Sequence, residues 1–477
     1  MGLILIVSGA SIAHGQGTAA LSKPAANTER LAAAIDGDRH DILTRGALHE
    51  AFAAPVNLNP LPPPVIPDRP PEPVDELPPA YRPADLSVQW IPGYWTWDND
   101  LEKFIWTSGV WRAAPSGHRW MPGYWSRNAD GYRRIAGYWS PTALDRVEYL
   151  ILPPETLEEG PIGKPPSANH IWVPGCWLSE KKRYHWRPGY WAGAKRNRMW
   201  IAANYVWTPR GAVFVDGHWD APFASRGLMF APIDFQIDGD PPPTEPFSPG
   251  TVIQARLLTD HLFSARSAPS YYFGDYYGDE SSARGIVPWF SEGIHGRLYD
   301  PVRAYYACEL HQRDPSWDRR YRAVYEHLLQ HAEARPPRTL KEQGTALRGQ
   351  AGAREQGAEF ALATSLADAA ADKSSAVRLR RVDAAERRAL GESLHEMRRV
   401  AIERAELEAK PKPAQVRTAA RPGEEGDSPV PPIPSALGLD GLVLEHPVPD
   451  RTAASPRADA ASAREKSQIR EKRKERR

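Results

Sequence analysis

Between Trp90 and Trp219 short aromatic stations alternate with polar turns. The stations read WIPGYW at Trp90, WTSGVW at Trp106, WMPGYW at Trp120 and RIAGYW ending at Trp139. A second set reads WVPGCW at Trp172, WRPGYW at Trp186, WIAANYVW at Trp200 and FVDGHW ending at Trp219. Starting residues within each set step by 14, once by 16. That period is too short for a helical hairpin and suits one strand plus one turn. The clusters DND, NADG, SEKK, KRN and PRG between stations supply the reversals. The pattern predicts a mainly β fold: an antiparallel meander of Trp-rich repeats over 84–240, in two halves at 90–140 and 170–220.

Within an ideal strand the first and last Trp of a station face opposite sides. A bulge at the central Pro-Gly pair brings both to one face, because glycine accepts positive φ and proline lacks the ladder donor. The rings then stack against neighbouring repeats. Burying one Trp removes roughly 200 Å² from water, about 5 kcal/mol as an upper bound, so fifteen of the 17 tryptophans suffice to dominate a small core.

Outside the stations the periodicity changes. MGLILIVSGASIAHGQG is an apolar run followed by small residues at Ala13 and Gly15, which predicts a truncated signal peptide over 1–16 and an exported protein, periplasmic, envelope-bound or secreted. Residues 25–54 read as a short helical segment with Asp36, Asp38 and Asp41 as caps. Residues 55–83 hold 12 prolines in 29 positions, which predicts an extended polyproline-like linker. A second proline joint at 241–249 leads to a small α+β segment, 250–333. There Asp300-Pro301 and Asp314-Pro315 predict helices over 301–311 and 315–333. An Ala/Arg/Glu-rich helix is expected at 339–410, with Leu390, Leu394, Met397 and Ala401 on one face. A disordered tail is expected at 411–477.

The stations resemble the bacterial WXXGXW, or YXWGXW, repeat family of exported envelope proteins. The resemblance covers about Trp90 to Trp219 and implies neither an activity nor catalytic residues. Cys176 stands where the usual residue is Tyr, and WIAANYVW lacks the central Gly.

Charge refines the picture locally. The whole chain balances 60 Lys and Arg against 59 Asp and Glu, but the second half of the repeats is basic. Lys181, Lys182, Arg183, Arg187, Arg196 and Arg198 lie among Trp177, Trp186, Tyr190, Trp191 and Trp200. Cations beside flat rings suit an anionic polymer or a glycan, including cell-wall or extracellular polysaccharide; charged turns around a Trp core are the structural alternative. No specific nucleic acid is expected as partner, and another envelope protein is a further candidate.

Enzyme signals are weak. LHEAF and LHEMR lack the second His of a zinc-binding HExxH. Asp275, Asp279 and His295 are the residues a hydrolase site in 250–333 would use. No catalytic residue, cofactor or metal is expected. Cys176 and Cys308 are compatible with one disulfide or two thiols. The expected role is that of an exported structural or interaction protein.

Overall fold

The computed structural model describes residues 40–144, 146–180, 183–235, 245–265, 270–291, 298–349, 361–372 and 377–410. The expected signal peptide, the tail, His295, Lys181 and Lys182 lie outside them.

The repeat region is built of antiparallel hairpins, as the spacing predicts, but the unit is a pair of stations. Stations one and two form the first hairpin, with Trp90 opposite Trp111 and Trp95 opposite Trp106. In the second, Trp120 faces Trp139 and Trp125 faces Arg134. The third sets Trp172 against Trp191 and Trp177 against Trp186. The fourth sets Trp200 against Trp219 and Tyr205 against Phe214. Tyr205, not Trp207, therefore closes the seventh station. The expected antiparallel succession of short Trp-rich repeats is present as a series of hairpins, and among the described residues no strand of one hairpin pairs with a strand of the next.

Each station breaks into two short strands at its centre, as at Pro92-Gly93 between Gln89–Ile91 and Tyr94–Asp98. The break is not a positive-φ bulge: none of the station glycines is among those with positive φ. Glycine is required by close approach instead. A Cβ at Gly109 would lie 2.5 Å from the Trp90 ring, at Gly137 2.3 Å from Trp120, at Gly175 2.3 Å from Trp186 and at Gly189 2.4 Å from Trp172. The first Trp of each station thus lies on the glycine of its partner. Where the partner carries the smaller Phe214, the glycine position is Ala203, fully buried.

The rings meet across the hairpin. Six Trp–Trp pairs sit edge-to-face with centroids 5.2–5.4 Å apart, the arrangement favoured by aromatic quadrupoles.

The proline-rich residues 55–83 run extended against the hairpins. Trp95 Nε1 donates to Glu72 O and Trp111 Nε1 to Tyr81 O, each at 2.9 Å. Glu76, fully buried, accepts from Gly93 N at 2.6 Å, Gly109 N at 3.0 Å and Trp106 Nε1 at 3.1 Å. Proline keeps this strap extended, and a carboxylate satisfies both glycine kinks.

The first hairpin joins two larger sheets. Val110–Arg112 pairs with Gly227–Phe230 in a five-stranded sheet, and Lys103–Thr107 pairs with Ile233–Asp234 in a four-stranded one. Residues 40–54, expected as helix, instead form the short strands Asp41–Ile42 and Gly46–Ala47. Tertiary contacts override local propensity there: the buried Arg112 and Arg226 side chains donate to Ala51 O at 2.9 Å and Phe52 O at 2.6 Å.

Helices form at Pro301–Arg313 and Trp317–Gln330. Asp300 caps the first by accepting from Arg303 N at 3.0 Å. Asp314 accepts from Ser316 N, and Ser316 takes the N-cap position of the second. The expected long helix over 339–410 is interrupted. Leu340–Gly349 and Ala384–Ala409 are helical, while Ala363–Ser365 and Leu379–Arg381 are strands paired to Thr251–Ile253 and Tyr81–Pro83. Leu394, Met397 and Val400 form the buried stripe of Ala384–Ala409, whose last turn clamps the second hairpin. Arg404, ion-paired with Glu408 at 2.8 Å, donates to the kink carbonyls of Pro122 at 3.0 Å and Ala136 at 2.9 Å. Both side chains are fully buried.

Candidate interaction face on the third hairpin

The third hairpin repeats the local chemistry of the first. Its strap is the segment preceding it: Trp177 Nε1 donates to Glu155 O at 3.1 Å, Trp191 Nε1 to Ile162 O at 3.0 Å and Trp172 Nε1 to Glu158 Oε1 at 2.9 Å. Gly175 N donates to the same carboxylate. Glu76 precedes Gly93 by 17 residues, and Glu158 precedes Gly175 by 17. The structural repeat therefore includes the proline-rich segment ahead of each half.

Its environment differs. Trp90, Trp95, Trp106 and Trp111 are all at most 2 % exposed. Trp172, Trp177, Trp186 and Trp191 are only half-buried, and Tyr190 is 48 % exposed. Ile151, Leu157 and Ile162 of its strap are also exposed. Arg183 is exposed and Arg187 half-buried on the same strands, and Arg196 and Arg198 are exposed in the following turn. Trp177, Trp186, Tyr190, Trp191, Arg183 and Arg187 thus share one hairpin. Trp200 belongs to the fourth, where it pairs with Trp219 and packs near Val56 and Leu58.

The edges differ as well. The second strand of the first hairpin is bordered by 227–234. In the second hairpin Tyr132 exchanges two backbone bonds with Ile66, both 2.8 Å. In the fourth, Ala212 exchanges two with Leu150, at 2.8 and 2.9 Å. Among the described residues, no strand borders Arg183–Arg187 or Tyr190–Gly193 on the outer side.

A cavity of about 830 Å³ lies elsewhere, between the first, second and fourth hairpins and the strap. Its walls include Trp97, Trp125, Trp207 and Arg134. None of the sequence-predicted binding residues lines it.

The residues considered for other chemistry are dispersed. Asp275 pairs with Arg338 at 3.4 Å, and burial raises its carboxyl pKa. Asp279 opens the short helix Asp279–Ala283. The His327 and His331 rings lie 4.5 Å apart, and His331 meets Glu333. Among the described residues no group of three metal-type ligands converges. Cys176 and Cys308 are free thiols, and burial pushes the Cys176 thiol up to about 11.

The residues missed by sequence reading are Glu76, Glu158, Arg404 and Glu408. The constant 17-residue offset from Glu to Gly was the available signal for the first two. Burial raises the Glu76 carboxyl to about 7, outweighing its bonds from Gly109, Gly93 and Trp106.

A family model for the WXXGXW repeat, in two copies, matches residues 90–112, 116–140, 168–192 and 200–220. The four hairpins are WXXGXW repeats. Each match spans one hairpin, so the two copies of the motif are its two arms. In WXXGXW terms, the Gly is the seat for the first Trp of a partner arm that begins with Trp; Gly123, whose partner arm begins with Arg134, lies against that side chain instead. No curated protein and no solved structure matches the chain.

Proposed function

We propose that the protein is an exported envelope scaffold with no catalytic step, in which the first two WXXGXW hairpins bury their paired tryptophans in the core and the third serves as the interaction surface. The observation behind this reading is the contrast in burial between otherwise equivalent tryptophans. An exposed aromatic and aliphatic surface is costly to leave in water and suits a partner. Carbohydrate fits the ring faces of Trp177, Trp186 and Trp191, while Arg183 and Arg187, which alternation turns to the other side of the strand from Trp186, offer cations to an anionic envelope polymer.

The test is tryptophan fluorescence and acrylamide quenching of the full chain with peptidoglycan, a neutral polysaccharide and an anionic polymer. Protection by a polymer, lost in Trp186→Phe and Trp191→Phe, is expected. A polymer response that survives both substitutions removes the assignment to the third hairpin. A second reading places a neutral glycan in the 830 Å³ cavity, favoured by its partly exposed Trp97, Trp125 and Trp207 rings. Loss of the response in Trp207→Ala alone would favour it.

A further inference from the structure

Resting on the third hairpin as the interaction surface, we propose that its open edge takes up an extended segment of another polypeptide as an added antiparallel strand. That segment carries an aliphatic residue facing Tyr184 to Trp186 and a carboxylate set against Arg183.

The other three hairpins describe the missing strand. Aligning stations makes Tyr132 and Ala212 the counterparts of Tyr184, and Lys103 the counterpart of Arg183. The residues that border the corresponding strands are Ile66, Leu150 and Ile233. All are aliphatic, and Ile233 is followed by Asp234, which alternation turns to the face of Lys103. In the first hairpin the Asp234 carboxylate pairs with Lys103. Arg183 holds the same position on the third hairpin and is exposed. The edge therefore combines a ladder for backbone bonding with a cation for an acidic neighbour, the requirements of strand addition. Its alternating N–H and C=O groups match another polypeptide; a glycan would engage the ring faces instead.

The test uses the full chain and a labelled synthetic peptide of the sequence GLMFAPID, which borders the first hairpin as residues 227–234. Binding is followed by fluorescence anisotropy, with hydrogen exchange of the protein amides read in parallel. Saturable binding is expected, with slowed exchange confined to 183–191. Arg183→Asp should weaken binding about tenfold, and a peptide with Arg in place of its final Asp should recover it. N-methylation at the Ile of the peptide should abolish binding by removing a ladder donor. Absence of saturable binding, protection elsewhere in the chain, or indifference to Arg183→Asp would each overturn the proposal. Protection of 183–191 that rises with the concentration of the protein alone would assign the edge to a second copy and overturn it too. If the peptide fails while the polymer response persists, only strand addition falls; if both fail, the interaction surface falls with it.

Discussion

The first and third hairpins share register, ring geometry and a strap glutamate, yet one is core and the other surface. What separates them is what lies outside the motif. The first has Gly227–Phe230 and Ile233–Asp234 along its edges and a strap whose Val74 is buried. Among the described residues the third has neither border, and its strap shows Leu157 and Ile162 to solvent. A repeat motif therefore specifies a shape, while its neighbours decide whether its rings stabilise the fold or remain available.

The comparison is sharpest when equivalent tryptophans are truncated. Trp111→Ala should cost about 3–5 kcal/mol, because the ring is fully buried. Its counterpart Trp191→Ala should cost about 1 kcal/mol by urea unfolding. Equal losses would mean that the third hairpin is core. The kinks come next: Gly109→Ala places a Cβ 2.5 Å from the buried Trp90 ring and should cost about 3 kcal/mol. Gly189→Ala meets Trp172 at 2.4 Å, but that ring is only half-buried, so a smaller fall in Tm is expected.

Glu76 gives the first hairpin a pH dependence. Its folded carboxyl titrates at about 7 against an ordinary 4.5, so protonation favours the fold. The associated stability is complete below about pH 4.5 and is lost as pH rises through 7, by about 1–3 kcal/mol. Urea midpoints across this range should fall in the wild type relative to Glu76→Gln. The smallest effect concerns the seat itself. Phe214→Trp should destabilise the fourth hairpin, and Ala203→Gly should rescue it, with about 1 kcal/mol of coupling in a double-mutant cycle.

Much of this was legible in the chain. The 14-residue period gave the strands and turns, and the basic aromatic cluster led to one hairpin for six of its members. The reason for the glycine was not legible, because close approach and positive φ leave the same residue behind; Ala203 opposite Phe214 discriminates only once register is known. Nor was the contrast in exposure between the first and third hairpins, because the strands that cover the first come from more than 100 residues away in the chain. The straps were read as spacers because proline content reports an extended backbone without saying what it lies against. The interruption of the helix over 339–410 has the same origin: Leu379–Arg381 is recruited as a strand by Tyr81–Pro83, nearly 300 residues earlier.

The clamp on the second hairpin also sets an order of events during folding. Each hairpin closes locally, joining residues about twenty apart, and such closures are fast. Arg404, however, reaches back 282 residues to Pro122 O and 268 to Ala136 O. The second hairpin therefore forms before the guanidinium that bonds its two kink carbonyls can reach it. Closure of its kinks is thus the last local step for that hairpin, set by the arrival of Ala384–Ala409.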